Sequence, residues 1–369
     1  MPKIRVLVVD DAVVVRKLIT ETLRDDPELE VVGTAPNGRL ALQKIPQVNP
    51  DIITLDMEMP EMDGLATLRE VRQLYPKLPV IMFSTLTQKG AVSTLEALSL
   101  GANDYVTKPA NVGGVTAGVE RLQQELIPKI KVHCGRFSAS AHEHPATIDI
   151  CKKAPPGTLG PPLPGPIEIV CIGTSTGGPN ALAEVFSNLP AKFPVPIVIV
   201  QHMPPLFTAM LAKRLTAHSA VPCHEGVEGM PLERGHAYLA PGGHHMELLK
   251  QGTRVTVHLQ EGAPENSCRP AVDVLFRSVA RIYGSSILGV VMTGMGQDGL
   301  RGCELIREQR GHVVVQDEAS SVVSGMPGYI ARAGYADKVI PLDQIAGEIS
   351  RRVRDSRASL AGLNPILRN

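Results

Sequence analysis

Tryptophan is missing from this chain, and its 369 residues include only six phenylalanines and six tyrosines. A surface built to stack on unpaired nucleic-acid bases has little to work with. Lys plus Arg and Asp plus Glu both number 37, so the formal charge is zero and no global field favours nucleic acid or anionic lipid. Nor does the second half carry a helix-turn-helix pattern or a basic face. No apolar run approaches the ~18 residues that span a bilayer, which argues against membrane insertion. The N-terminus, M-P-K-I-R-V-L-V-V-D, reads as a strand running into carboxylates rather than as a secretion signal. The six cysteines, at 134, 151, 171, 223, 268 and 303, include no C-x-x-C pair. Reduced thiols and a cytoplasmic location are therefore expected.

What is present is α/β patterning, twice over. The length is too great for one ordinary core, and two domains are the natural division. Over residues 1–130, buried apolar runs at 4–10, 30–35, 51–56, 79–85 and 104–108 alternate with amphipathic helical stretches. That alternation predicts a doubly wound parallel sheet. In such sheets chemistry gathers at the carboxyl ends of the strands. Those ends carry Asp10 and Asp11, then Asp56, then Ser84 and Thr85, then Lys108 and Pro109. Three converging carboxylates repel one another unless a cation sits among them, and oxygen ligands with open positions suit Mg²⁺. A hydroxyl at Ser84 and an ammonium at Lys108 would complete what an acyl phosphate on Asp56 needs. The plainer alternative is that Asp10 and Asp11 cap a helix and Lys108 lies on the surface.

The runs V-V-D-D, T-L-D-M-x-M-P-x-M-D-G-L and Y-V-T-K-P resemble the response-regulator receiver domain over about 120 residues. The resemblance implies a flavodoxin-like fold and phosphorylation of Asp56 by a histidine kinase. It implies Mg²⁺ held by Asp10, Asp11, Asp56 and the carbonyl of Glu58, with Ser84, Tyr105 and Lys108 as the switch residues. Ala12 stands where the family often has Ser.

Periodicity then fades. Residues 131–166 are rich in Pro, Gly, Ala and His and end P-P-G-T-L-G-P-P-L-P-G-P. Such a segment buries too little apolar area to offset its ordering entropy and reads as a flexible linker. Within it, His142 and His144 are compatible with adventitious metal binding only.

A second α/β domain is expected over 167–357, with a loose tail at 358–369. It opens on I-E-I-V-C-I-G-T-S-T-G-G-P, a buried strand, a tight glycine turn and a helix start with Ser175 at the apex. The spacing G-x-S-x-G is that of a nucleophile elbow, although a glycine-rich strand-to-helix turn also cradles phosphate. His202 follows the strand at 196–201, and Asp298 lies in a glycine-rich turn after the strand at 287–293. A serine hydroxyl needs a base during attack, and an imidazole needs an anion to fix its tautomer. The three can converge along one sheet edge; alternatively His202 is structural and Asp298 caps the next helix. The chain order Ser, His, Asp is not that of the α/β-hydrolases. His244 and His245 lack the i, i+4 spacing of a helical zinc site, and no cofactor is expected in this domain.

The runs G-T-S-T-G-G-P, I-V-Q-H-M-P, G-H-A-Y-L-A-P-G, R-P-x-V-D-V-L-F, T-G-M-G-x-D-G and D-E-A-S-x-V-x-x-G-M-P resemble the chemotaxis methylesterase catalytic domain. Joined to a receiver, the resemblance is to the CheB type of response regulator. It implies a Rossmann-like catalytic domain that demethylates glutamate methyl esters on methyl-accepting chemoreceptors and also deamidates receptor glutamines. Ser175 would be the nucleophile, His202 the base, Asp298 its partner, and Thr176 and Met295 the oxyanion hole. The unmodified receiver would cover the active-site edge. Thr174 replaces a small Ala beside the nucleophile, and Cys268 and Ala271 replace His and Ser in H-R-P-S-V-D. The competing expectation is a receiver that gates a phosphate- or nucleotide-binding module.

Overall fold

The computed structural model describes residues 2–108, 114–135 and 160–362. The chain divides into two compact units, Met1–His142 and Glu143–Asn369. The first contains β1 (Ile4–Val9), α1 (Val13–Arg24), β2 (Leu29–Ala35), α2 (Gly38–Val48), β3 (Ile52–Asp56), α3 (Gly64–Leu74), β4 (Val80–Ser84), α4 (Gln88–Ser99), β5 (Asp104–Thr107) and α5 (Gly114–His133). Every residue of β3 and β4 is buried, as suits strands covered on both faces. The pairings are parallel and the order is β2-β1-β3-β4-β5. Side-chain oxygens of Asn37, Asp63 and Thr87 accept the N–H groups of Leu40, Ala66 and Gly90, fixing where α2, α3 and α4 begin. Val6, Val8, Ile81, Phe83, Leu122, Leu126 and Ile130 fill one core. Helix α5 runs to His133, three residues past the expected domain boundary, and Lys129 Nζ ties it to Asp104 Oδ1 at 2.9 Å.

The second unit holds β6 (Ile169–Thr174), α6 (Gly178–Ser187), β7 (Ile197–Gln201), α7 (Phe207–Ala217), β8 (Cys223–Glu225), β9 (Ala237–Leu239), β10 (His245–Gln251) and β11 (Arg254–Gln260). It continues with α8 (Val272–Tyr283), β12 (Ile287–Val291), α9 (Leu300–Glu308), β13 (His312–Gln316), α10 (Met326–Arg332), β14 (Lys338–Ile340) and α11 (Leu342–Gly362). Seven strands form a parallel sheet in the order β14-β13-β12-β6-β7-β9-β8. The chain leaves β6 toward β7 on one side and returns through β12 to β13 on the other. The order therefore reverses between β6 and β12, where open α/β sheets place their ligands.

Several boundaries differ from those the pattern predicts. The opening strand starts at Ile169 rather than 167, because the N–H of Ile167 is taken by Ser356 Oγ at 3.0 Å. The irregular stretch after β9 contains an antiparallel hairpin, β10–β11, outside the parallel sheet. Its inner residues Met246, Leu248 and Val257 join the core beside Leu275 and Val279 of α8. Residues 160–163, expected in the linker, are tied to the second unit: Arg307 Nη2 donates to the carbonyl of Gly160 at 3.1 Å and the N–H of Leu163 to that of Arg310 at 2.9 Å. Helix α11 extends to Gly362, past the expected end near 357. Residues 136–159 of the expected linker, including His142 and His144, lie outside the described residues, as do Pro109 and residues 363–369 of the expected tail. No helix among the described residues is long and apolar enough to cross a membrane.

Candidate active site and acid cluster

The parallel register of β12, β6 and β7 decides what can meet. Gly173 lies opposite Val291 on one side, and Thr174 opposite Gln201 on the other. Just beyond, the N–H of Ser175 donates to Thr293 O at 3.0 Å and that of His202 to Thr174 O at 3.1 Å. Ser175, His202 and Asp298 thus follow three adjacent strand ends on a single rim. Gly177 turns the chain with φ of 79°, a conformation glycine adopts without steric cost. Gly294 lies so close that a Cβ there would stand 2.8 Å from Ser175 Cβ. Among the described residues no acceptor takes the N–H of Thr176 or of Met295, so two donors lie free beside the serine.

Asp298 is only 2 % exposed and collects five hydrogen bonds. Oδ2 accepts His202 Nε2 at 2.8 Å and the N–H of Val272 at 2.6 Å. Oδ1 accepts Asn266 Nδ2 at 2.9 Å and the N–H groups of Asp273 and Gly299, both at 3.0 Å. Two of these donors form the first turn of α8, so the carboxylate sits at the N-terminus of a helix far from it in sequence. Burial alone would raise its pKa, but His202 and the amides of Asp273 and Val272 outweigh burial and hold it low. The neighbouring Asp273 is pushed up to about 7, first by burial and then by the charge of Asp298. It accepts Gly302 N–H at 2.7 Å and Asn266 Nδ2 at 3.0 Å, so one amide side chain bridges both carboxylates.

Because Asp298 receives Nε2–H, the nitrogen of His202 left to act as a base is Nδ1. Its hydrogen-bond neighbour is Cys268 Sγ at 3.4 Å. No hydrogen bond joins Ser175 to the imidazole among the described residues. The histidine pKa is held well above its usual value: burial pushes it down, but Cys268 and Asp298 more than reverse this. Below the elbow, Thr174 Oγ1 donates to Gln201 Oε1 at 2.7 Å. Gln201 Nε2 in turn donates to the carbonyls of Ser175 at 2.9 Å and His202 at 3.2 Å. Thr174 is thus a strut, through Gln201, under both Ser175 and His202, and Ala271 is fully buried with its N–H on His245 Nδ1 at 3.2 Å.

In the first unit Asp10, Asp11 and Asp56 bring ligand oxygens within 4.8 Å of one another. Lys108 Nζ lies 3.0 Å from Asp10 Oδ2 and 2.8 Å from Asp56 Oδ1. Among the described residues no hydrogen-bond donor reaches the buried Asp56 Oδ2. Its pKa rises to about 6, chiefly from burial, against the lowering pull of Lys108. The amide of Glu58 also faces Asp56, while the Glu58 side chain pairs with Lys89 at 3.2 Å in solvent. Ser84 is fully buried and its hydroxyl donates to Gly90 O at 3.1 Å. Tyr105 is buried, with Lys129 Nζ 5.1 Å from its ring centroid.

The model for the response regulator receiver domain matches residues 6–120, and that for CheB methylesterase matches residues 170–349. A protein-glutamate methylesterase/protein-glutamine glutaminase of Trichodesmium erythraeum is 54 % identical over 356 residues, 96 % of this chain and 100 % of that protein. The chain belongs to the CheB family of protein-glutamate methylesterases/protein-glutamine glutaminases. A Nocardioides relative of the same description is 48 % identical over 98 % of both chains. The crystal structure of the Thermotoga maritima CheB methylesterase catalytic domain is 41 % identical, covering 51 % of this chain and 99 % of that one, with a TM-score of 0.49. The response regulator domain of the same organism's CheB is 38 % identical, covering 37 % and 99 %, with a TM-score of 0.33. Membership of the CheB family sets aside the phosphate-cradle reading of the Ser175 turn. Asn266 escaped the sequence reading: E-N-S-C resembles any polar loop, and its partners Asp273 and Asp298 meet it only through the fold.

Proposed function

We propose that Ser175, His202 and Asp298 carry the methylesterase and glutaminase chemistry of this CheB-family chain. The observation that bears most weight is the His202 Nε2–Asp298 Oδ2 contact of 2.8 Å, made on the rim that presents Ser175. Ser175 attacks the γ-carbonyl of a receptor glutamyl ester while His202 Nδ1 takes its proton. Asp298 stabilises the imidazolium, and the free N–H groups of Thr176 and Met295 hold the oxyanion. The imidazolium then protonates departing methanol, or ammonia from glutamine, and a water repeats the cycle on the acyl-enzyme. Substrates are methyl-accepting chemoreceptors, reached by a cytoplasmic enzyme.

Asp56 takes the phosphoryl group from a chemotaxis histidine kinase. An oxygen-only donor set and the orphaned Asp56 Oδ2 fit Mg²⁺, with Asp10, Asp11, Asp56 and the Glu58 carbonyl as its ligands. When bound, Mg²⁺ supplies positive charge that favours a phosphoryl group at Asp56. Lys108 balances charge, and Ser84 and Tyr105 change position as the receiver switches. In fold terms the first unit is flavodoxin-like and the second Rossmann-like, joined through the Pro/Gly-rich segment. The test is methanol release from methylated receptor by the full-length chain and by Ser175→Ala, each with and without a small phosphodonor and Mg²⁺. Release abolished in the variant and stimulated by the phosphodonor in the parent is expected. Near-normal release from a folded Ser175→Ala protein would overturn the assignment.

A further inference from the structure

The loop before α8 brings a thiol to the one imidazole nitrogen that the chemistry needs. Asn266 and Ser267 both adopt positive φ, 51° and 61°, a conformation uncommon for residues with a Cβ. The amide of Asn266 is anchored to Asp273 and Asp298, and the next side chain but one, Cys268, reaches His202 Nδ1 at 3.4 Å. We propose that Cys268 is a positioning residue that competes with Ser175 for Nδ1 of His202, and so sets the pH at which the esterase turns on. This rests on the assignment of Ser175 and His202 made above.

The argument is one of acid strength at a shared acceptor. A free thiol ionises near pH 8.5, whereas an alcohol is a far weaker acid. Only one lone pair is available, because the other ring nitrogen carries the proton given to Asp298. The balance is a single proton: it leaves Sγ, joins Nδ1, and produces a thiolate beside an imidazolium with no other bond made or broken. In that state His202 cannot accept from Ser175 until the proton returns to sulfur or passes to solvent. Cys268 is only partly buried, so both routes exist.

The other charged groups around the pair do not replace this role. Asp298, from the loop after β12, is fixed on Nε2. Asp273, on α8, reaches the site through Asn266 and the N–H of Gly302. Glu265 is paired with Arg277 Nη2 at 2.7 Å, and Arg269 Nη1 is held by the carbonyls of Glu261 and Gly262. His245 has both ring nitrogens on backbone groups, Ala271 N–H and Ala263 O.

The experiment measures kcat/KM for ester hydrolysis against pH in the full-length protein, Cys268→Ser and Cys268→Ala, at fixed phosphodonor and Mg²⁺. The base must be neutral, so activity rises as pH passes its pKa. Removing the thiol lowers that pKa, and both variants are expected to move the acid limb down by about one unit or more, with a gain of about tenfold or more low on the limb. An acid limb left at its original pH in both variants overturns the proposal. So does a shift in Cys268→Ala alone, which would assign the effect to hydrogen bonding rather than proton competition. A second readout needs no esterase activity: alkylation of Cys268 by iodoacetamide, followed by peptide mass spectrometry, in the parent, Ser175→Ala and His202→Gln. Reaction persisting below pH 7 in the first two and falling about tenfold per unit in His202→Gln is expected. The same pH dependence in all three proteins would overturn the shared proton even if Ser175 proved not to be the nucleophile.

Discussion

The two units each bury a critical aspartate and treat it in opposite ways. Asp298 receives five hydrogen bonds, two from the first turn of α8, and is kept ionised although burial opposes it. Asp56 has one oxygen on Lys108 and the other buried without a donor among the described residues, and burial wins, raising it to about 6. The contrast separates two tasks. The carboxylate proposed to remain an anion through a reaction cycle is saturated with donors. The carboxylate proposed to receive a cation and a phosphoryl group is left short of them.

The comparison can be broken first at the nucleophile. Ser175→Ala is expected to lower methanol release by about 10⁴-fold or more with the fold intact, while leaving phosphorylation of Asp56 unchanged. Asp298→Asn removes the anion from the saturated site and should cost about 10³- to 10⁴-fold in kcat; a loss under tenfold would mean that the donors, not the charge, matter. Asn266→Ala strips one donor from Asp298 and one from Asp273, and a loss of about tenfold in kcat/KM is expected from one such hydrogen bond. Asp56 gives a thermal test. Its folded pKa lies above the ordinary 3.8, so its stabilising contribution is present below about pH 4 and is lost as pH rises through about 6. Asp56→Asn should therefore raise the first unit's melting temperature at pH 8 by about 4 °C or more, and hardly at all at pH 4. Mg²⁺ should stabilise the parent at pH 8 and not the variant. The smallest effect is expected for Thr174→Ala, about two- to threefold in kcat, because Gln201 keeps its bonds to both carbonyls.

Much of this was readable in one dimension because the decisive groups sit at the ends of parallel strands. A run of buried β-branched residues announces a strand, and the first polar residue or two at its end lie on the carboxyl edge of the sheet; Asp10, Asp56, Ser175 and His202 were all placed there in this way. What escaped depends on contacts between segments distant in the chain. Asp298 was legible as a partner for His202, but not as the acceptor of the α8 amides, because nothing local points a helix start at a loop 25 residues later. The hairpin β10–β11 was partly hidden: His245–Gln251 mixes apolar and charged residues, since only its inner face meets α8. The strut from Thr174 through Gln201 was visible as an odd residue without a purpose, which only the adjacent strand supplies.

That hairpin has a practical consequence. Its two strands are zipped together from His245 opposite Gln260 to Gln251 opposite Arg254, and the inner end grips α8 through Leu248 N–H on Ser278 Oγ at 3.0 Å. The tip, by contrast, is exposed around Gly252 with φ of 61° and open space where a Cβ would stand. A dye or affinity handle grafted there would ride on the hairpin packed against α8, whose first-turn amides bind Asp298, without touching that carboxylate.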